Sequence, residues 1–184
     1  KTKVNYRTID KYIGYLEDAF LISHAMRYDV SGRRYINAGV KYYFVDTGLR
    51  NARLNFRQSG VSQRMENIIY NELRVRDFDI DVGIIEMNEK NAMGTKIRKQ
   101  LEIDFVANLF DRRLYIQSSY QMPSEAKLRQ KKRPLLAVPD AFDKIIIEQG
   151  NFSPWYDEDG ILRISLKDFL LEDVISEKKQ TIRQ

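Results

Sequence analysis

LEIDFVANLFDRRLYIQSSY, residues 101–120, decides the fold. Leu101, Ile103 and Phe105 alternate with Glu102 and Asp104, which predicts a half-buried strand. NLFDRR (108–113) reads as a turn. LYIQSSY (114–120) reads as the partner strand, with Tyr115, Gln117 and Ser119 on one face. A hairpin built this way places Gln117 and Ser119 beside Asp104 when the register is favourable.

Outward from the hairpin, Ile97 set against Arg98 and Gln100 extends the first strand upstream, IDVGIIEM (80–87) is a further strand, and NEKNAMGT (88–95) is a turn-rich break. Before these, Val61, Met65, Ile68, Ile69 and Leu73 mark a long helix in VSQRMENIIYNELRVR. Glu66 borders its apolar stripe and shares a face with Ile69, Tyr70 and Leu73, so it is expected to point inward or toward a sheet edge. Downstream, PSEAKLRQKKRPLLAV (123–138) is a basic helix with Pro123 near its start and Pro134 near its end. A strand in KIIIEQ follows, then a polar loop carrying the only Trp, a strand in ILRISL and a short helix in KDFLLEDVI. Helix, strand, strand, strand, helix, strand, strand predicts an α/β (α+β layered) fold around a mixed sheet over residues 61–175.

The first fifty residues have a different rhythm. Ile9, Tyr12, Ile13 and Leu16 lie at helical spacing, with Thr8 as the expected N-cap and Asp10 in the first turn. FLISHAMRYDV, the turn SGRR and VKYYFVD then form a two-stranded ribbon. This is the second half of a winged helix, so residues 1–50 are expected as a separate segment, 51–60 as a linker and 176–184 as a frayed tail.

With 184 residues, 43% apolar and 31% charged, the chain belongs with ordinary globular proteins. It has no apolar run of the roughly 18 residues that cross a bilayer, and KTKVNYRTIDKY is polar and lacks the apolar run of a signal peptide, so no membrane partner and a cytoplasmic setting are expected. The absence of Cys excludes disulfides, cysteine nucleophiles and thiolate zinc sites. The single His24 leaves Ser/His/Asp and multi-His arrangements short. It shares a strand face with Ile22, Met26, Tyr28 and Val30, and is expected to be packed or at an edge. The chain starts mid-element and without Met, so a fragment of a longer protein is expected.

Carboxylates are the remaining source of catalytic chemistry. Magnesium-dependent phosphodiester hydrolysis needs oxygen ligands, two or three of them carboxylates, and a cation for the phosphate. Glu66 and Asp104 are the candidate ligands. Helix Glu, strand Asp, hairpin and a triplet on the next strand resemble the PD-(D/E)XK nuclease fold, whose triplet is Glu-X-Lys. Here it is Gln117, Ser118, Ser119. By that resemblance Asp104 matches the family aspartate and Glu66 the helix glutamate, while Gln117 replaces the second metal carboxylate and Ser119 the lysine. Both replacements weaken hydrolysis and magnesium binding; Lys99 or Lys127 is the candidate for a displaced cation.

A resemblance covering nearly the whole chain rests on KYIGYLEDAFLI, KYYFVDTGLRNARL, MENIIYNELRVR, EIDFVA and LYIQSSY in that order. It is similar to the carboxy-terminal half of bacterial and archaeal AAA+-type P-loop ATPases, in which a winged-helix segment precedes a nuclease-like domain. The resemblance implies an ATPase module upstream and ATP bound there, since no GxxxxGK[ST] occurs here. It implies a noncatalytic or weakly catalytic regulatory and nucleic-acid-interaction region, with no cofactor of its own beyond a weakly held magnesium. An active metal-dependent nuclease and a protein-protein interaction module are the alternatives.

The net charge of +5 makes DNA a plausible partner. Lys127, Arg129, Lys131, Lys132 and Arg133 form the strongest basic cluster, a pattern shared by a phosphate-tracking helix and a solvated face. Arg33 and Arg34, with Lys11 and Arg27, are the candidate duplex contacts of the ribbon. Tyr42, Tyr43, Phe44 and Tyr115 are expected as core or half-buried strand residues.

Overall fold

The computed structural model describes residues 5–53, 60–90, 94–120 and 124–172; Pro123, residues 54–59 of the expected linker and the expected tail at 176–184 lie outside them. Among the described residues the chain runs α1 (Tyr6–Asp18), β1 (Ile22–Asp29), β2 (Arg34–Phe44), α2 (Thr47–Arg53), α3 (Val61–Val75), β3 (Asp79–Lys90), β4 (Lys96–Leu109), β5 (Arg112–Ser119), α4 (Glu125–Leu136), β6 (Asp143–Glu148), β7 (Trp155–Tyr156), β8 (Leu162–Ser165) and α5 (Leu166–Leu171).

The strands form one mixed sheet in the order β2-β1-β3-β4-β5-β6-β8-β7. The hairpin of residues 101–120 is its centre: Phe105 pairs with Ile116 and Leu109 with Arg112, antiparallel. β3 joins β4 antiparallel, whereas β6 runs parallel to β5 and β8 parallel to β6. The fold is therefore the expected α/β class, a large mixed sheet flanked by helices. The ribbon expected as part of a separate segment extends this same sheet, because Arg27, Tyr28 and Asp29 of β1 pair with Val82, Gly83 and Ile84 of β3.

Both faces are covered. Met65, Ile69 and Leu73 of α3 and Phe169 of α5 pack with Phe105, Ile116, Ile147 and Ile164 on one face. Leu135 of α4 and the following Val138 pack with Ile103, Val106, Tyr115 and Ile146 on the other. Each such side chain removed from water contributes about 1.5–3 kcal/mol before entropy is counted. This double cover explains why Leu114–Ser119 and Ile145–Glu148 are buried without alternation.

The alternation read at 101–105 fails for a specific reason. Between the pairs Asp81↔Val106 and Gly83↔Ile103, two steps on β3 are matched by three on β4. The extra residue is a β-bulge at Asp104–Phe105, so Ile103 and Phe105, expected on one face, enter opposite cores.

Smaller departures have local causes. The side chain of Asn5, not Thr8, caps α1 by accepting from the Arg7 amide. Within the expected linker, α2 runs to Arg53, started by Asp46 accepting from the amides of Gly48 and Leu49. Pro134 lies inside α4. His24 is exposed and its Nδ1 is bonded to Glu17 of α1; the expected strand face is interrupted by an irregularity between Ala25 and Arg27. Tyr43 and Tyr115 are buried, as strand aromatics of a core should be, while Tyr42 is exposed. Among the described residues no helix is long and apolar enough to cross a membrane.

Candidate functional site

The bulge aims Asp104 at β5 and α4. Its Oδ2 accepts from the Ser118 amide and the Ser118 hydroxyl, both at 2.8 Å, and from Lys131 Nζ at 3.3 Å. Lys131 also donates to Gln117 Oε1 at 3.2 Å, while Gln117 Nε2 donates to the Glu102 carbonyl at 2.8 Å. That last bond orients the amide, oxygen toward the lysine. Asp104 and Gln117 thus come together as expected, but the cation beside them is Lys131 from α4. Ser118, rather than Ser119, is the hydroxyl on Asp104; Ser119 lines the cleft beside it.

Glu66 occupies a neighbouring network. Its Oε1 accepts from Lys41 Nζ at 3.0 Å and from the Tyr43 hydroxyl at 2.9 Å. Lys41 also pairs with Glu102 at 2.7 Å, and Arg27 donates to Glu102 at 2.9 Å. Burial pushes the Glu102 carboxyl up, but its hydrogen bonds and charge contacts with Lys41 and Arg27 more than offset this and hold it below the usual range. Burial lowers Lys41, and Glu102 and Glu66 return it to above its ordinary value. Tyr43 is pushed up by burial first, then by Glu66, Asp104 and Glu102, so it stays a neutral donor. Glu102 and Lys41 were missed as site residues. The signal for Glu102 was there: two residues before Asp104 in a strand is the next position on the same face.

Asp104, Gln117 and Lys131 line a cleft of about 860 Å³ that Lys99 and Lys127 also border. The amino end of α3, Gly60 to Gln63, forms part of its wall, and no side chain caps that helix. Lys99, Lys127 and Lys131 bring three ammonium groups to the cleft, set against Glu102 and Asp104 on its wall and Glu89 at 3.7 Å from Lys99, and the amino end of a helix adds a favourable dipole for anions.

The magnesium expected on Asp104 and Glu66 does not fit this donor set. Each carboxylate is bonded to its own lysine, Glu66 to Lys41 and Asp104 to Lys131. The amide of Gln117 adds an oxygen but no charge, and its oxygen also faces Lys131. Among the described residues no three His, Cys, Asp or Glu side chains gather closely enough to hold a metal ion.

The basic cluster on α4 divides by helical position. Lys132, only 5% exposed, is turned inward onto Asp157 (2.8 Å), Glu158 (3.1 Å) and Asp159 (2.8 Å), which corrects its expected place in a phosphate-tracking face. Arg133 pairs with Glu89, and Lys131 holds Asp104. Lys127 and Arg129 are exposed, Lys127 at the cleft and Arg129 on the far side of the helix beside Lys132 and Arg133. Arg33 and Arg34 are exposed at the β1–β2 turn, Arg34 within 3.7 Å of Asp29, and they do not line the cleft.

A domain of unknown function, DUF8612, matches residues 1–60. An uncharacterized protein of Haemophilus influenzae (strain ATCC 51907 / DSM 11121 / KW20 / Rd) is 33% identical over 165 residues, which are 90% of this chain and 37% of that protein. The chain therefore spans little more than a third of the length of the relative it matches. No solved structure matches at a significant level.

Proposed function

We propose that this chain is a noncatalytic, or at most weakly catalytic, nucleic-acid-interaction region of a cytoplasmic AAA+-type ATPase, and that its cleft receives DNA phosphates. The observation that carries this reading is Lys131 bridging Asp104 and Gln117 in a cleft bordered by Lys99 and Lys127. The acid and amide correspond to positions of the PD-(D/E)XK pattern, and the cations suit a polyanion. The residue chemistry disfavours hydrolysis: one carboxylate and one amide, both engaged by an ammonium, recruit magnesium poorly. An ATPase module elsewhere in the protein is in keeping with a relative far longer than this chain.

Two measurements test it. Supercoiled and single-stranded DNA should survive incubation with the chain in magnesium and in manganese; cleavage abolished by Asp104→Ala would replace the proposal with an active nuclease. DNA affinity should fall steeply between low and moderate salt, and Lys99→Glu/Lys127→Glu should flatten that slope by about one to two counterions. An unchanged slope removes the cleft from the interface.

Partnership with protein is favoured by a separate observation, the outer side of α1. Ile9, Tyr12 and Leu16, which share one stripe at helical spacing, are exposed there, and no residue of the helix is buried. That side suits contact with the ATPase module.

A further inference from the structure

We propose that the ammonium of Lys131 serves this cleft as its resident cation in place of a divalent metal, so that the cleft engages a DNA phosphodiester oxygen without metal. The proposal rests on the phosphate-binding reading above and deepens it.

A divalent cation bridging Asp104 Oδ2 and Gln117 Oε1 needs both of those oxygens. Lys131 Nζ already lies 3.3 Å from Asp104 Oδ2 and 3.2 Å from Gln117 Oε1. A magnesium ion sits about 2.1 Å from each oxygen and keeps several waters, so ion and ammonium exclude one another there. The pair Asp104–Lys131 is also neutral, which removes the charge that recruits a metal. Asp104 thereby becomes a positioning residue: its Oδ2 takes two donors from Ser118 and holds the ammonium of Lys131 on the same oxygen.

The lysine is placed by its helix. The next residue, Lys132, is locked against Asp157, Glu158 and Asp159; Arg133 pairs with Glu89; Pro134 and Leu135 are buried. With α4 held this way, Lys131 reaches Asp104 from a fixed stem. An ammonium carries three N–H donors, and the side chain keeps 37% of its surface exposed, so the head faces the cleft while holding both oxygens. Lys127, one helical turn earlier, and Lys99 border the same cleft and would take neighbouring phosphates.

The test uses the full chain, a fluorescent single-stranded DNA oligonucleotide followed by anisotropy in EDTA and in manganese, and calorimetric titration of manganese without DNA. Wild type should bind the oligonucleotide equally with and without metal and give no saturable manganese isotherm at submillimolar concentration. Lys131→Ala should lose about tenfold in affinity in EDTA, recover part of it in manganese, and acquire a manganese isotherm that Asp104→Asn in the same background abolishes. Lys131→Gln should behave as Lys131→Ala does, and circular dichroism melts establish that both are folded. The proposal is overturned if wild type needs manganese to bind the oligonucleotide, if it binds manganese as tightly as the variant, or if neither variant changes either reading. Failure of wild type to bind DNA at all overturns the phosphate-binding reading, and the manganese isotherms then still decide whether Lys131 holds the metal's place.

Discussion

Asp81 and Glu102 are acids with opposite relations to pH. Burial pushes the Asp81 carboxyl above its ordinary value; the Tyr35 hydroxyl, donating at 3.3 Å, offsets only part of this. Folding thus favours the protonated form, so its contribution is full below the unfolded pKa and is lost as pH rises through the folded one. Asp81→Asn should melt higher than wild type at pH 7, with the gap narrowing toward pH 4; an equal gap at both would refute the assignment. Glu102 is held low by Lys41 and Arg27, so its contribution is present above the unfolded pKa and lost as pH falls. Glu102→Gln should melt lower than wild type at pH 7, the deficit shrinking in acid; a deficit unchanged by pH would show the ion pairs to be energetically idle. Asp104 and Gln117 were legible at this scale because a turn between two apolar strand segments folds their polar residues back against each other, even though the alternation itself fails at the bulge. Lys131 as their partner was not, since its contact depends on how α4 lies across the sheet, and five neighbouring cations look alike until that is known.

At the scale of elements, the bulge in β4 and the seating of α4 determine the site. Gly83 pairs with Ile103 beside the bulge, and a Cβ there would stand 2.8 Å from Val106 Cγ2 and 2.9 Å from Ile103 Cβ. Gly83→Ala should therefore destabilise by about 1–3 kcal/mol in urea denaturation, and a cost near zero would mean that the bulged strand yields. The seating of α4 rests on Lys132, whose side chain and that of Asp157 are 7% and 1% exposed. Lys132→Met leaves Asp157 buried without its cation and should cost about 3–5 kcal/mol, much of it recovered when Asp157→Asn is added. Additive losses would show that the two do not act as a pair. Alternation located β4, and a basic segment with a proline near each end located α4, but a bulge is an offset between strands and leaves no mark in either one. α2 escaped for a related reason: seven residues are too few for a helical period to declare itself.

For the whole molecule, the element order sufficed for the α/β class, because helices interleaved with strands must cover a sheet. The parallel pairing of β1 with β3 was not legible, as it joins residues more than fifty positions apart and is carried by three residue pairs. That pairing makes β2 the edge of the sheet, where an irregular register and Gly39 at φ +60° interrupt an otherwise long template for further strands. α1 stands outside this framework. Its side chains pack half-exposed at best, and the Glu17–His24 contact that ties it to β1 is solvent-accessible. Exposed pairs of this kind contribute about 0–1 kcal/mol, and a helix with no buried residue removes little apolar area from water. A chain starting at Phe20 should therefore keep the unfolding free energy of the full chain, from urea denaturation, to within about 1–2 kcal/mol, with the same denaturant dependence. A loss well beyond that, or a shallower transition, would mean that α1 is integral to the sheet. An unchanged transition would mean that the sheet beneath α1 owes it no stability, which leaves the exposed apolar stripe of Ile9, Tyr12 and Leu16 available for contacts with other molecules or modules.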